Sequence, residues 1–500
     1  MPIYYDDAAI PKDDPRNPVN FSNTRKWHIV CAGMLFCFNS NLGSSLPSGG
    51  TDVIAAYFGV GESTQLVLLN SLYLIGFALG PLIFGPMSEH LGRRIVLIGT
   101  YLLSTIFTMA CALSPTYPAL LAFRLLCGIV AATPNAVLGG LYADIYDNPR
   151  QRGKAMAYFM YVATLGPQLG PVLSGFASLV SWRLPFWIAL GIAGAGLPFI
   201  LTIPETYLPI LCKRTLLQKD KERGEGGPAP PESNNGSHGF EEVKIIFTRP
   251  FVMLVREPIV LFTSLYLSLV YAILYLFFQA YPIVFKGIYG MTNGRASVAF
   301  LPVIGGATVA LAIFLWYSAY HERALAGGAT WAKSEEYRRL PVACIGAPAV
   351  VIAMFWFGWS SSVDIHPIVP MLSGASFGAG YLLVFMAMLN YLGDAYKQFS
   401  ASAQAAASTT RAISAVCLPL ATTPMYRSLG VAWASSLLGF LSLLLAFVPF
   451  AFLKYGHAIR SRSPFAQEVL RGLGRRDERQ ETEEIFQSID ASQAITADAK

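Results

Sequence analysis

Two arginines, Arg124 and Arg411, stand inside long runs of apolar residues. In a helix at bilayer depth an arginine costs about 2.5–3.5 kcal/mol on insertion scales, so it must face protein or water. Arg124 begins the run Arg124-Leu125-Leu126-Cys127-Gly128, shortly after Pro118. It either points inward or snorkels to the outer interface. Arg411 follows the small-residue run Ser400 to Thr410. It is either a functional charge or half of an interhelical pair, with Asp394 as a candidate partner. A second group of charges lies in Gly85-Pro86-Met87-Ser88-Glu89-His90-Leu91-Gly92-Arg93-Arg94. Gly92 permits a tight turn, and Glu89 sits one turn before Arg93 if a helix continues, at pairing distance. Asp144 and Arg152 could join them in a cluster that latches one conformation. The bland alternative is an ordinary basic turn between two apolar stretches.

A third pattern is the doubled Gly-Pro of Gly166-Pro167-Gln168-Leu169-Gly170-Pro171-Val172-Leu173-Ser174-Gly175. Gly166, Gly170 and Ser174 share a helix face that lets another helix approach closely, while Pro167 and Pro171 remove backbone donors and bend the helix. Polar side chains are otherwise rare in the apolar stretches. Asn39, Asn41, Asn70, Asn135, Gln168, Gln279, Tyr281, Asn390 and Gln404 are the exceptions, with Tyr275, Phe277 and Phe278 offering stacking surface. They form an inventory of substrate-cavity candidates, although aromatics at such positions more often pack. No acidic residue sits at mid-stretch, which argues against a dedicated polycation site.

The elements that carry these residues follow from composition. Of 500 residues, 54% are hydrophobic and 13% charged, about half the charge of a soluble domain. The apolar residues fall in runs of roughly 20, the length a helix needs to cross a bilayer, and helices alone among open structures satisfy their backbone there. The runs predict twelve spans: 27–47, 64–86, 94–114, 118–142, 154–179 and 184–204, then 258–284, 295–318, 341–359, 367–391, 402–424 and 429–453. The expected organisation is a cytosolic tail (1–26), a six-helix bundle (27–204), a cytosolic linker (205–257), a second six-helix bundle (258–454) and a cytosolic tail (455–500). The linker holds Lys219 to Arg223 and a Gly/Pro-rich stretch from Gly226 to Pro231, and reads as flexible and partly disordered. The final tail is expected to be helical near Glu481 to Ile485.

With both termini cytosolic, thirty of the 36 basic residues fall on the inside and four outside, namely Arg183, Lys286, Arg295 and Arg427. That asymmetry sets the orientation. Two similar halves are also suggested by a short repeat. Leu141-Tyr142-Ala143-Asp144 ends span 4 and Tyr391-Leu392-Gly393-Asp394 ends span 10. Basic residues at segment ends, rather than in one patch, give no nucleic-acid site. Seven cysteines without C-x-x-C spacing give neither a disulfide framework nor a metal site. The acidic N-terminus does not resemble a cleavable signal peptide. No H-E-x-x-H, P-loop or filter-like repeat points to an enzyme, an ATP-driven pump or a channel, and no cofactor is expected.

The loop from Gly85 to Arg94 resembles the G-x-x-x-D-x-x-G-R-[RK] motif of the major facilitator superfamily, with Glu89 for the usual aspartate. Arg124 and Gly128 look like the span 4 motif R-x-x-x-G, whose arginine the resemblance implicates in proton transfer, and Arg411 is carried as a second coupling candidate. The doubled Gly-Pro from Gly166 to Gly175 resembles the span 5 antiporter motif, with Ser174 in place of a glycine. Asn70 to Arg94, Pro204 to Pro209, Arg249 to Phe251 leading into Tyr271 to Phe285, Arg411 and Tyr455 to Arg460 are similar to the fungal twelve-span drug:proton antiporters. The resemblance implies an all-α membrane protein of two pseudo-symmetric six-helix bundles. It also implies a plasma-membrane exporter of small organic molecules, exchanging protons across the lipid bilayer. The alternative is a facilitative carrier or sensor on the same fold without proton coupling.

Overall fold

The chain folds into helices because its apolar runs have no other way to satisfy their backbone in lipid. A computed structural model describes residues 10–463 except 12, 62, 224–247 and 397–399, together with residue 467. Helix α1 (Asn23–Ser45) starts on Ser22, whose hydroxyl accepts from the Arg25 N–H. It gives way to a 3-10 turn (Leu46–Gly50) around Pro47, then to α2 (Thr51–Phe58). Helix α3 (Ser63–Leu91) and α4 (Arg93–Leu113) are separated by Gly92 alone. Next come α5 (Tyr117–Ala131), α6 (Thr133–Ile145), α7 (Pro149–Ala177) and α8 (Leu184–Leu201). Asn148 caps α7, accepting from the Arg150 N–H, and the helix runs unbroken through both Pro167 and Pro171.

The linker differs from expectation. Its first part is a helix, α9 (Leu208–Arg223), and residues 248–256 are also helical. The Gly/Pro-rich stretch from Gly226 to Pro231 lies outside the described residues, as does the tail around Glu481 to Ile485. The second half contains α10 (Pro258–Tyr281), continued by a π turn (Pro282–Ile288). It goes on with α11 (Asn293–Ser297), α12 (Leu301–Ala326), α13 (Glu335–Ser360), α14 (Ile368–Tyr396) and α15 (Ser400–Arg462). Gly430 breaks α15 with φ 73 and ψ 166, two residues after the expected gap. Every apolar run is thus occupied by helix.

Among the described residues ten segments are long and apolar enough to cross a membrane; Ser402–Ser461 is one of them at 60 residues, and α7 is not among them. Large apolar side chains cover the outer surface, such as Trp316, Leu444 and Phe447, each more than 60% exposed. A soluble monomer does not show that much apolar surface, whereas a bilayer covers it. The protein is an all-α, multi-pass membrane protein.

Between helices in lipid, close packing of small residues replaces the hydrophobic effect as the adhesive. Helix α3 meets α5 where Gly76, Gly80 and Gly128 bring backbone against backbone. In the second half α14 packs on α12 and α13 in the same way, through Gly378 against Val303 and Gly380 against Gly346 and Val350. The halves touch each other along two seams. One joins α3 to α15; the other joins α7 to α11, α12 and α14.

Candidate functional site

Gly92 organises the first charge cluster. Its φ of 99° ends α3 and starts α4 at the next residue, a backbone conformation a Cβ would strain. A side chain there would also collide with the Glu205 carboxylate. The expected Glu89–Arg93 pair does not form, because this break turns Arg93 away from the axis that carries Glu89. Instead Arg93 donates from Nε to Asp144 Oδ2 at 3.2 Å and from Nη1 to Ser88 Oγ at 2.7 Å. Ser88 in turn donates to the Gly85 carbonyl. The guanidinium also lies 5.0 Å from the Tyr207 ring centroid.

Glu205 holds the break from the other side. Its Oε1 accepts from the Arg93 N–H at 3.0 Å and from the N–H groups of Thr206 and Tyr207, and its Oε2 accepts from the Arg94 N–H at 3.3 Å. A carboxylate at a helix N-terminus meets unsatisfied donors and the positive end of the dipole. Glu89 is exposed and makes no ion pair among the described residues. Its charge is felt at Tyr207, whose phenol is raised first by burial and then by Glu89. The Arg94 and Arg152 side chains are exposed. Arg152 does not join the latch, because it sits with the first turn of α7 facing the other half. A Cβ at neighbouring Gly153 would lie 3.7 Å from Arg339 Nη2.

Asp394, the counterpart of Asp144 in the repeat, has the same arrangement. Arg339 donates from Nε to Asp394 Oδ2 at 3.2 Å. The partners are 55 residues apart here and 51 in the first half. Asp394 therefore does not pair with Arg411. Arg460 closes this second cluster against Glu335 and Glu336. Single-motif reading missed Arg339, Glu336, Arg460 and Ser88. The aspartate repeat held the signal, since an arginine doublet precedes each aspartate at a similar distance, although the first arginine pairs in one half (Arg93) and the second in the other (Arg339).

Arg124 is 2% exposed, which excludes snorkelling. It donates to three backbone carbonyls: Leu69 at 2.8 Å, Gly43 at 2.6 Å and Ser44 at 3.0 Å. Gly43 offers its oxygen because the residue four positions on is Pro47, which has no N–H to give. The Tyr73 ring lies 4.4 Å away as a cation–π partner. Arg411 is half-buried on α15 against the rings of Phe385 (4.8 Å) and Tyr271 (5.7 Å).

The doubled Gly-Pro face lies on α1. Gly166 contacts Asn41 and Leu42, Gly170 contacts Leu42 and Ser45, and Ser174 Oγ accepts from the Gly49 N–H at 2.9 Å. Gly175 meets Ser297 and Asn293 of the other half. At the same end Asp52 accepts from Lys286 at 3.0 Å and from Asn293 at 2.9 Å, tying the halves together. Arg150 and Glu322 pair across them at 2.7 Å at the opposite end.

The polar inventory does not converge on one cavity. Asn41 and Asn390 donate to carbonyls one turn back in their own helices, Cys37 and Met386. Asn70 donates to Ser48 Oγ at 2.8 Å. Asn39 and Gln168 are buried, each with an atom unpartnered among the described residues. Gln279 and Gln404 are half-buried and Asn135 is exposed. Tyr275 bonds Ser44 Oγ of α1 at 2.9 Å, across the seam between the halves. A cavity of about 10 Å³ lies beside Arg124, Asn39 and Ser40. Another, of about 20 Å³, lies beside Tyr281, Phe278 and Asp52. Each has room for about one water, far below the 300–1,000 Å³ of a small-molecule site.

The profile of the Major Facilitator Superfamily matches residues 29–419. The Major facilitator superfamily multidrug transporter mdrA of Aspergillus fumigatus is 36% identical over 462 residues, covering 91% of this chain and 75% of that protein. The MFS-type efflux pump MFS2 of Trichophyton rubrum is 38% identical, covering 91% and 76%. Among solved structures, the proton:xylose symporter XylE superposes with a TM-score of 0.64 at 18% identity, covering 87% of this chain and 97% of that one. At that identity the likeness speaks for the fold.

Proposed function

The chain belongs to the Major Facilitator Superfamily, and from that premise we propose that it exports small organic molecules by alternating access driven by proton antiport. It is a secondary active transporter and not an enzyme. Its curated relatives are multidrug transporters and efflux pumps, and the cargo we assign is of that kind: drugs, toxins or secondary metabolites. Twelve crossings follow if the 60-residue segment Ser402–Ser461 is two helices meeting at Gly430 and α7 is counted as a span. Both termini and the linker then face the cytosol, and the plasma membrane is the site of action.

The observation that carries the reading is the twin latch. Arg93–Asp144 and Arg339–Asp394 occupy equivalent places in the two halves, at the same end of the molecule. Repeats with matched gates are how such carriers rock two bundles around one site. In that mechanism Arg93 and Asp144 form the latch that controls opening towards the cytosol, with Gly85, Gly92 and the Arg94 backbone shaping the turn that carries it, while Glu89 and Arg152 stand outside the pair. The tight seam of α7 on α1 and the turn after it, at Gly166, Gly170 and Pro171 of the doubled Gly-Pro stretch, makes one half move as a rigid body, while Gly175 meets the other half. A guanidinium does not release its proton, so Arg124 acts in coupling by fixing α1 against α3, and Arg411 by its charge. Parting of the halves would break the Ser44–Tyr275 contact and open that seam to cargo.

The test is uptake of a drug panel by inside-out plasma-membrane vesicles, with and without an imposed interior-acid gradient. Uptake that collapses with a protonophore is the expected result. Uptake indifferent to the gradient would replace antiport by facilitated diffusion. Tag accessibility of Lys500 and of the linker tests the orientation, and opposite faces would overturn it.

A further inference from the structure

The two arginines at membrane depth are treated in opposite ways. Arg124 spends its donors on three carbonyls. Arg411 makes no hydrogen bond and no ion pair among the described residues, and meets only the faces of Phe385 and Tyr271. Asp394 is occupied by Arg339. No described residue accepts from the five guanidinium N–H donors of Arg411, and the group is half-buried rather than sealed.

Its surroundings are aromatic and lie on the seam between the halves. Tyr271 donates to Tyr275, which bonds Ser44 of α1. Phe385 stacks on Tyr381 at 4.8 Å, and Tyr381 reaches Thr164 of α7. A half-buried guanidinium with no anionic neighbour among the described residues leaves its donors open to an incoming anion. A carboxylate fits the guanidinium fork in a bidentate way, and the neighbouring rings offer edges and faces to an aromatic body.

Resting on the transport reading above, we propose that Arg411 receives the anionic group of the cargo. The cargo class is then small aromatic carboxylates, with Tyr271, Tyr381 and Phe385 flanking the ring. An inside-negative membrane potential itself favours the exit of such an anion.

The test uses the full chain in proteoliposomes and three radiolabelled probes of one shape: 1-naphthoate, 1-naphthamide and 1-naphthylmethylammonium. The acid is expected to bind at least about tenfold more tightly than the amide. Arg411→Gln should erase that preference while the melting temperature holds, and Arg411→Lys should keep part of it. Equal binding of acid and amide overturns the proposal, and so does a preference that survives in Arg411→Gln. If Arg411→Gln fails to fold, the wild-type ratio decides. Transport of the amide or the ammonium without the acid also overturns the anion assignment, while leaving the transporter reading in place.

Discussion

Arg93 shows how one backbone dihedral can choose a partner. With Gly92 at φ 99, the chain turns between Glu89 and Arg93, and the guanidinium reaches Asp144 across helices instead of Glu89 along one. Arg93→Glu should abolish drug uptake with surface expression kept. The swap Arg93→Asp with Asp144→Arg should recover a part of the uptake; no recovery would mean that Ser88, Tyr207 or the local shape matters more than the pair. Arg124 is a different case, because its work is geometric. Lysine keeps the charge but has one nitrogen, which cannot span Leu69, Gly43 and Ser44 at once. Arg124→Lys should lower the melting temperature and cut uptake about tenfold or more, as two charged hydrogen bonds at roughly 1.5–3 kcal/mol each are lost. Wild-type uptake in that variant would remove the carbonyl clamp from the mechanism.

At the scale of elements, the small-residue faces decide which helices travel together. Gly166, Gly170 and Ser174 hold α7 against α1, where any Cβ at either glycine meets backbone or a serine. Gly170→Leu should force the helices apart and destabilise the protein by about 1–3 kcal/mol, the cost of overpacking. Differential scanning fluorimetry in detergent measures this, and an unchanged melting point would show that the seam is loose. The periodicity of these residues was legible in the sequence, but their partner was not. A glycine face announces that a helix will come close without saying which one. The linker erred in the other direction, since its charge and polarity read as flexible while Leu208–Arg223 is helix.

For the whole molecule, the halves are tied at both ends, by Asp52 with Lys286 and Asn293 at one and by Arg150 with Glu322 at the other. Rocking must break one set at a time. Asp52→Cys with Asn293→Cys, oxidised, should arrest uptake, and reductant should restore it. Full uptake in the crosslinked protein would mean that this end never opens. The small cavity between Asp52 and Tyr281, lined from both halves, agrees with a state in which this end is closed.

Local composition and spacing were enough to say that the chain is helical and lies in a bilayer, where its apolar runs lie, and that each half carries an aspartate at one place in its repeat. Those properties depend on local composition and spacing, which a linear reading sees. Helix packing, by contrast, sets that Asp394 belongs to Arg339, that Glu205 caps the break after Gly92, and that Arg124 finds carbonyl acceptors while Arg411 finds none among the described residues. Those outcomes join residues tens to hundreds of positions apart. Which donor finds which acceptor there is settled by how the helices pack, and no short stretch of sequence contains that.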